Sequence, residues 1–205
     1  MKPHFRRPAG QRRYKRMFVI VAEGTVTEQE YFQLLNEESI IHIKCLRNRS
    51  NLTPQEALLR VREHISKEGL RKNDVAWVVV DKDSWAEDHF SALHNWAQSR
   101  SNYGFALSNP KFEFWLLLHF EDAKGICTSE QCNEKLAKHL PAYDKHVDWR
   151  KFTRERIENA TVRAKNRDIP PCTDWPHNTG TTVYKLVEKI LESGTRRSTH
   201  IPRSR

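Results

Sequence analysis

Four carboxylates stand where they could act together: Glu23, Asp81, Asp83 and Glu113. Asp81 and Asp83 follow the apolar run of residues 75–80. In extended geometry side chains at i and i+2 point the same way, so this pair can share one cation while Lys82 faces elsewhere. Aspartates also open turns, and that plainer reading stands beside the first. Glu23 closes a second apolar run, residues 17–22, and is followed by Gly24, whose backbone freedom allows a sharp turn beside the acid. Glu113 lies in the most apolar stretch of the chain, residues 111–120. A buried carboxylate there is unfavourable unless protonated, paired or bound to a cation. The preceding Asn109 and Pro110 put it near a helix N-terminus, where free amides favour the charged form. Oxygen-only sets of this kind select hard divalent cations, Mg²⁺ or Mn²⁺, and such cations beside a basic surface suit phosphodiester chemistry.

The elements that would position these acids alternate strand and helix. Residues 17–22 and 75–80 read as strands buried on both faces of a parallel sheet, and residues 40–46 and 105–108 as two more. Thr25 with Glu28, and Thr27 with Glu30, offer overlapping capping boxes for a helix through Tyr31, Phe32, Leu34 and Leu35. Thr53, Pro54 and Glu56 start a second helix, striped by Leu58, Val61 and Ile65 and ended by Gly69. Phe90, Leu93, Trp96 and Ala97 give the apolar face of a third, and residues 111–120 form a fourth, almost surrounded by protein. Parallel strands all end at one edge of the sheet, where open α/β folds place ligands. If the strands bearing Glu23 and Asp81 are neighbours, Glu23, Asp81 and Asp83 converge there, and Glu113 arrives from the next strand. Helices at 129–140, 151–167 and 181–191 follow.

The expected class is therefore α/β: a small parallel sheet of about four strands covered by helices on both faces, with a helical C-terminal region. Residues 1–16 read as a basic arm, 17–120 as the core, 121–195 as a helical extension packing on it, and 196–205 as a basic tail.

Lys and Arg number 35 against 26 Asp and Glu, a formal charge of +9. The arm carries Lys2, Arg6, Arg7, Arg12, Arg13, Lys15 and Arg16 without an acid, which suits nucleic acid or an acidic protein partner. Lys82 and Lys111 flank the acids, and Arg47 and Arg49 sit in a polar loop; all four are candidate phosphate contacts. Trp85 and Trp175 fall in loops, where they either stack on a base or pack down. His119 reads as a packed core histidine in preference to a general base. Cys127, Cys132, His139 and His146 lack the usual spacing of a zinc site. The four cysteines are too sparse for a disulfide scaffold, and no apolar run is long enough to cross a membrane. The expectation is a cytoplasmic protein.

Glu23-Gly24 after one apolar strand and Asp81-Lys82-Asp83 after another resemble the Toprim signature. Three blocks in order, residues 19–32, 79–83 and 108–120, resemble more specifically the RloB family. The resemblance implies a Toprim-like fold and a Mg²⁺-dependent (or Mn²⁺-dependent) nuclease acting on RNA, tRNA included, as the effector of a restriction-linked anti-phage system. It also implies an ATPase partner of the ABC/AAA class. Glu23 would hold metal or move a proton, Asp81 and Asp83 would hold metal, and Glu113 would complete or orient the site. A DNA endonuclease of the same fold, a non-catalytic nucleic-acid-binding or ATPase-docking subunit and a nucleotidyl transferase remain open, as does a homo-oligomer.

Overall fold

β-Branched and aromatic residues crowd the runs that become the central strands. In the computed structural model, which describes residues 15–37, 41–82, 85–141, 143 and 147–195, β1 (Arg16–Ala22) and β3 (Val75–Asp81) are almost wholly buried. Asp83, His146, nearly all of the basic arm and the basic tail lie outside the described residues. Alternation sorts each central strand between two cores. Phe18, Ile20, Val75, Trp77 and Val79 face one cluster, while Val19, Val21, Ala76, Val78 and Val80 face the other.

β2 (Ile41–Cys45) and β4 (Tyr103–Asn109) complete the parallel part, and the sheet order is β2-β1-β3-β4-β5. β1 pairs with β3 in the register Ala22↔Val79, so the two strands finish side by side. The fifth strand departs from the expected four. β5 (Gly180–Thr181) is two residues long and antiparallel to β4. A pair of residues carries no periodicity to read; its place is fixed by hydrogen bonds instead. The Ser108 and Thr181 hydroxyls meet at 2.9 Å, and the Leu107 amide donates to the Thr182 hydroxyl at 3.0 Å.

Two helices cover one face: α2 (Pro54–Glu68) through Ala57, Leu58 and Val61, and α3 (Asp88–Gln98) through Phe90, Leu93 and Trp96. On the other face lie α1 (Thr27–Leu34), α4 (Phe112–Leu117), α5 (Ser129–His139), α6 (Arg154–Arg167) and α7 (Val183–Thr195). Residues of the last three, such as Leu136, Ile157 and Val187, share one apolar cluster with the sheet. No helix among the described residues is long and apolar enough to cross a membrane.

Local chemistry explains most helix boundaries. Thr53 accepts from the Glu56 amide while the Glu56 side chain accepts from the Thr53 amide, a complete capping box with Pro54 at the start, and Gly69 ends α2 at φ 70°. α6 starts at Arg154, not at 151, because Thr153 caps it and residues Trp149–Lys151 form a 3₁₀ turn. α7 starts at Val183 because Gly180 and Thr181 belong to the sheet. α4 is shorter than residues 111–120: Lys111 is extended and serves as N-cap, and the helix ends at Leu117. The capping boxes expected at Thr25 and Thr27 do not form. The N-cap of α1 is Val26, whose aliphatic side chain has no cap bond to offer, and the Glu28 carboxylate accepts from the Gly24 amide at 3.2 Å instead of closing a box with Thr25.

The close packing of β3 on β4 gives a direct test. A methyl group on Gly104 would overlap the Trp77 indole. Gly104→Ala should lower unfolding free energy by about 1–3 kcal/mol, as overpacking does. Chemical denaturation measures it, and an unchanged midpoint would contradict this packing.

Candidate active site

The acids meet at the carboxyl edge of β1 and β3. Glu23, the residue after β1, donates its amide to the Val79 carbonyl at 2.9 Å, continuing the strand pairing by one step. Its side chain then crosses to β3. Oε2 accepts from the Asp81 amide at 3.1 Å and Oε1 from the Trp85 indole at 3.2 Å. Trp85 therefore neither stands free nor simply packs into the core; it holds Glu23. The Phe112 amide, in the first turn of α4, is near enough to the Asp81 carboxylate to favour its charged form. Glu113, the next residue, accepts the Tyr143 hydroxyl on Oε1 at 2.8 Å, with Lys111 Nζ at 3.9 Å from Oε2.

A cavity of about 170 Å³ joins these parts, lined by the turn 24–28, Asn51, Asp81 and residues 111–113. The structure thus brings together Asp81, Glu113 and Lys111 at one cavity, with Glu23 bonded to its edge. Asp83 lies outside the described residues. Lys82 turns away, its ammonium 3.4 Å from both Glu87 and the His177 carbonyl. Arg47 lines a neighbouring cavity, and Arg49 is exposed and lines neither.

Glu28 is the member that the capping reading concealed. It is buried, and a Cβ on Gly24 would collide with its carboxylate. Gly24 has no left-handed φ, so it is needed for the space it leaves and not for an unusual backbone. The available signal was the face of the helix: Thr27, Glu28, Tyr31 and Phe32 form its buried side, so Glu28 shares it with two core aromatics. Tyr143 had no such signal, being thirty residues beyond Glu113 in a polar segment.

The charges respond to one another. Burial pushes Asp81 well above the usual carboxylate range, and the charges of Glu28, Glu23 and Glu113 push it further. Burial, reinforced by Glu113 and Glu23, raises Glu28 to about 7. Such an oxygen-only set, with Lys111 the cation of its lining, fits a hard divalent ion by donor chemistry. The fit is not a finished cage: among the described residues no three His, Cys, Asp or Glu side chains stand in metal-binding arrangement.

Among the described residues no histidine or cysteine lines the acid cavity. His119 is buried, accepts from the Tyr31 hydroxyl on Nε2 at 3.2 Å and donates from Nδ1 to the Trp115 carbonyl at 3.0 Å. Burial lowers its pKa to about 3, so it is a neutral core residue. Cys127 is exposed, Cys132 is buried, and His139 stacks on Phe120, which leaves no zinc cluster among the described residues. Trp175 packs down against Phe90 and Phe105.

The model of the RloB-like protein family matches residues 18–190, which takes in the sheet, the acid cavity and the helices of the second half. The chain belongs to the RloB-like family. No curated protein and no solved structure matches it. For this RloB-like chain the match reaches well past residue 120, so α5, α6 and α7 belong to the family unit together with the acids.

The raised Glu28 makes stability depend on pH in a definite sense. The folded state holds this proton up to about pH 7, whereas the unfolded chain releases it near 4.5. Stability is therefore greatest below the unfolded value and falls as pH rises through that window, by up to about 3 kcal/mol. Denaturation in chelator across this range should show the decline in the wild type and a flatter profile in Glu28→Gln. Parallel profiles would remove Glu28 from the cluster.

Proposed function

We propose that this chain is a Mg²⁺-dependent nuclease that hydrolyses phosphodiester bonds, with RNA as the favoured substrate and tRNA among the candidates. The observation that carries the reading is the shared cavity in which burial and the neighbouring charges of Glu23 and Glu113 raise the proton affinity of both Asp81 and Glu28. A surface evolved only to hold phosphate gains nothing from crowded carboxylates, since like charges repel the ligand and each other.

Glu23, Asp81 and Glu113 would hold the ion, joined by Asp83. Bound Mg²⁺ would supply an activated water and neutralise charge on the phosphate. The chain's own residues do the remaining work. Glu28, titrating near 7, is suited to take a proton from the attacking water on Oε2 while Oε1 keeps the Gly24 amide. Lys111 stands where it can meet a phosphate oxygen, and Trp85 keeps Glu23 oriented. The formal charge of +9 would draw a polyanion to the molecule as a whole.

The resemblance to RloB-like proteins extends the proposal to an effector of restriction-linked anti-phage defence, restrained or triggered by an ABC/AAA-type ATPase. A non-catalytic binding subunit is the second reading, favoured by the lack of a finished three-ligand cage among the described residues.

Cleavage of tRNA, mRNA and plasmid DNA with Mg²⁺ or Mn²⁺, with and without the ATPase, tests these together. Asp81→Asn should lower any cleavage at least about a hundred-fold, the scale of losing a central electrostatic group. Mg²⁺ should also raise the melting temperature of the wild type near pH 8 and leave that of Asp81→Asn unmoved. Equal cleavage by both proteins would overturn the site assignment; metal binding without cleavage of any substrate would favour the second reading.

A further inference from the structure

A second cavity, of about 400 Å³, shares the Thr25 and Val26 wall with the acid cavity. One side is a single face of the first helix and its cap: Val26, Gln29, Glu30 and Gln33 recur at helical spacing. The other side is the end of β2 and the loop after it, Cys45, Arg47 and Asn48. Its volume is that of a small-molecule pocket, and its lining is mostly polar side chains able to form directed hydrogen bonds.

The orientation of Asn48 is settled by its neighbours. Nδ2 donates to the carbonyl of Ala22 at 2.6 Å and lies within 3.5 Å of those of Glu23 and Gly24. A flipped amide would set oxygen against three carbonyl oxygens, so Oδ1 must be the atom on the other side. That Oδ1 is enclosed and has no hydrogen-bond partner. No group in the cavity reaches it, so Asn48 serves the cavity by holding the turn after β1 through Nδ2. The acceptor side of the lining is the Glu30 carboxylate, held in place by the Trp149 indole at 3.1 Å. The donor side belongs to Arg47, an exposed residue whose backbone carbonyl is fixed by the Arg60 guanidinium. Cys45 is no nucleophile, since burial pushes its thiol to about 12.

We infer that this second cavity receives one unpaired nucleobase, guanine by preference, from the nucleotide flanking the phosphate held at the acids. The inference rests on the nuclease reading for that phosphate. The Glu30 carboxylate matches the N1 and N2 donors of guanine, and Arg47 matches its O6 and N7. A concave pocket of this size admits a base splayed out of a single strand or loop and excludes one locked in a duplex. Substrate choice then begins with an unpaired guanosine next to the scissile bond.

The test is fluorescence anisotropy in chelator, so that binding is read without hydrolysis, using short U-rich single-stranded RNAs that carry one G, A or C. The wild type should prefer the G-containing strand by about ten-fold, the scale of one good base contact. Arg47→Ala should abolish that preference while leaving affinity for the other strands nearly unchanged, and Gln33→Ala should weaken all strands without unfolding the helix. The absence of base preference in the wild type would overturn the pocket. So would an Arg47→Ala variant that weakens all strands equally with a shallower salt slope, the mark of a phosphate contact. Cleavage by wild type and Asp81→Asn, run separately, judges the nuclease reading: guanine preference without cleavage would sink that reading and keep the pocket, and cleavage without preference would do the reverse.

Discussion

The parallel pairing of β1 with β3 is the constraint on which the site depends. Its register delivers Glu23 and Asp81 to adjacent positions, and the Asp81 amide then bonds to the Glu23 side chain at 3.1 Å. A slip of one residue would turn the side chains of one strand to the opposite face, moving Val79 out of one core and Val78 out of the other. Two-sided burial therefore fixes the placement of the acids more firmly than any contact the acids make. The apolar cores on either side of the sheet set the geometry of its polar edge.

That edge carries a strain of its own. Several carboxylates share a small space, and the fold offsets their repulsion with neutral donors more than with cations. Asp81 has the Phe112 amide nearby, Glu28 the Gly24 amide, Glu23 the Trp85 indole and Glu113 the Tyr143 hydroxyl, with Lys111 adding charge beside Glu113 at 3.9 Å. Amides and hydroxyls orient a carboxylate without cancelling its charge, so each group stays able to take up a proton or a cation. An ion-paired edge would have been more stable and less reactive.

What could be read in the sequence followed physical rules that act over a few residues. The buried strands announced themselves by unbroken β-branched runs, and α2 by a capping box whose two bonds both exist. Glu23, Asp81 and Glu113 were legible because strand ends and an apolar helix made their charges conspicuous. Glu28 was hidden because the same Thr and Glu spacing satisfies a helix cap, and only the burial of Tyr31 and Phe32 on its face distinguishes the two. Gly24 was read as a backbone device, but its role is the volume it leaves to Glu28. Tyr143 and β5 depend on partners thirty and seventy residues away, and no local pattern encodes such contacts.

The short fifth strand has a consequence for the order in which the molecule is completed. Leu107 exchanges hydrogen bonds with Thr182, and Asn109 donates to the carbonyls of Pro176 and His177. The outer side of β4, from which the chain turns into Lys111 and Glu113, is thus closed by residues that leave the ribosome well after β4 itself. A nascent chain holds all the acids long before it holds the edge that braces them. The segment that carries β5 works as a clasp, and a chain interrupted ahead of it would leave the ribosome with its sheet unfastened.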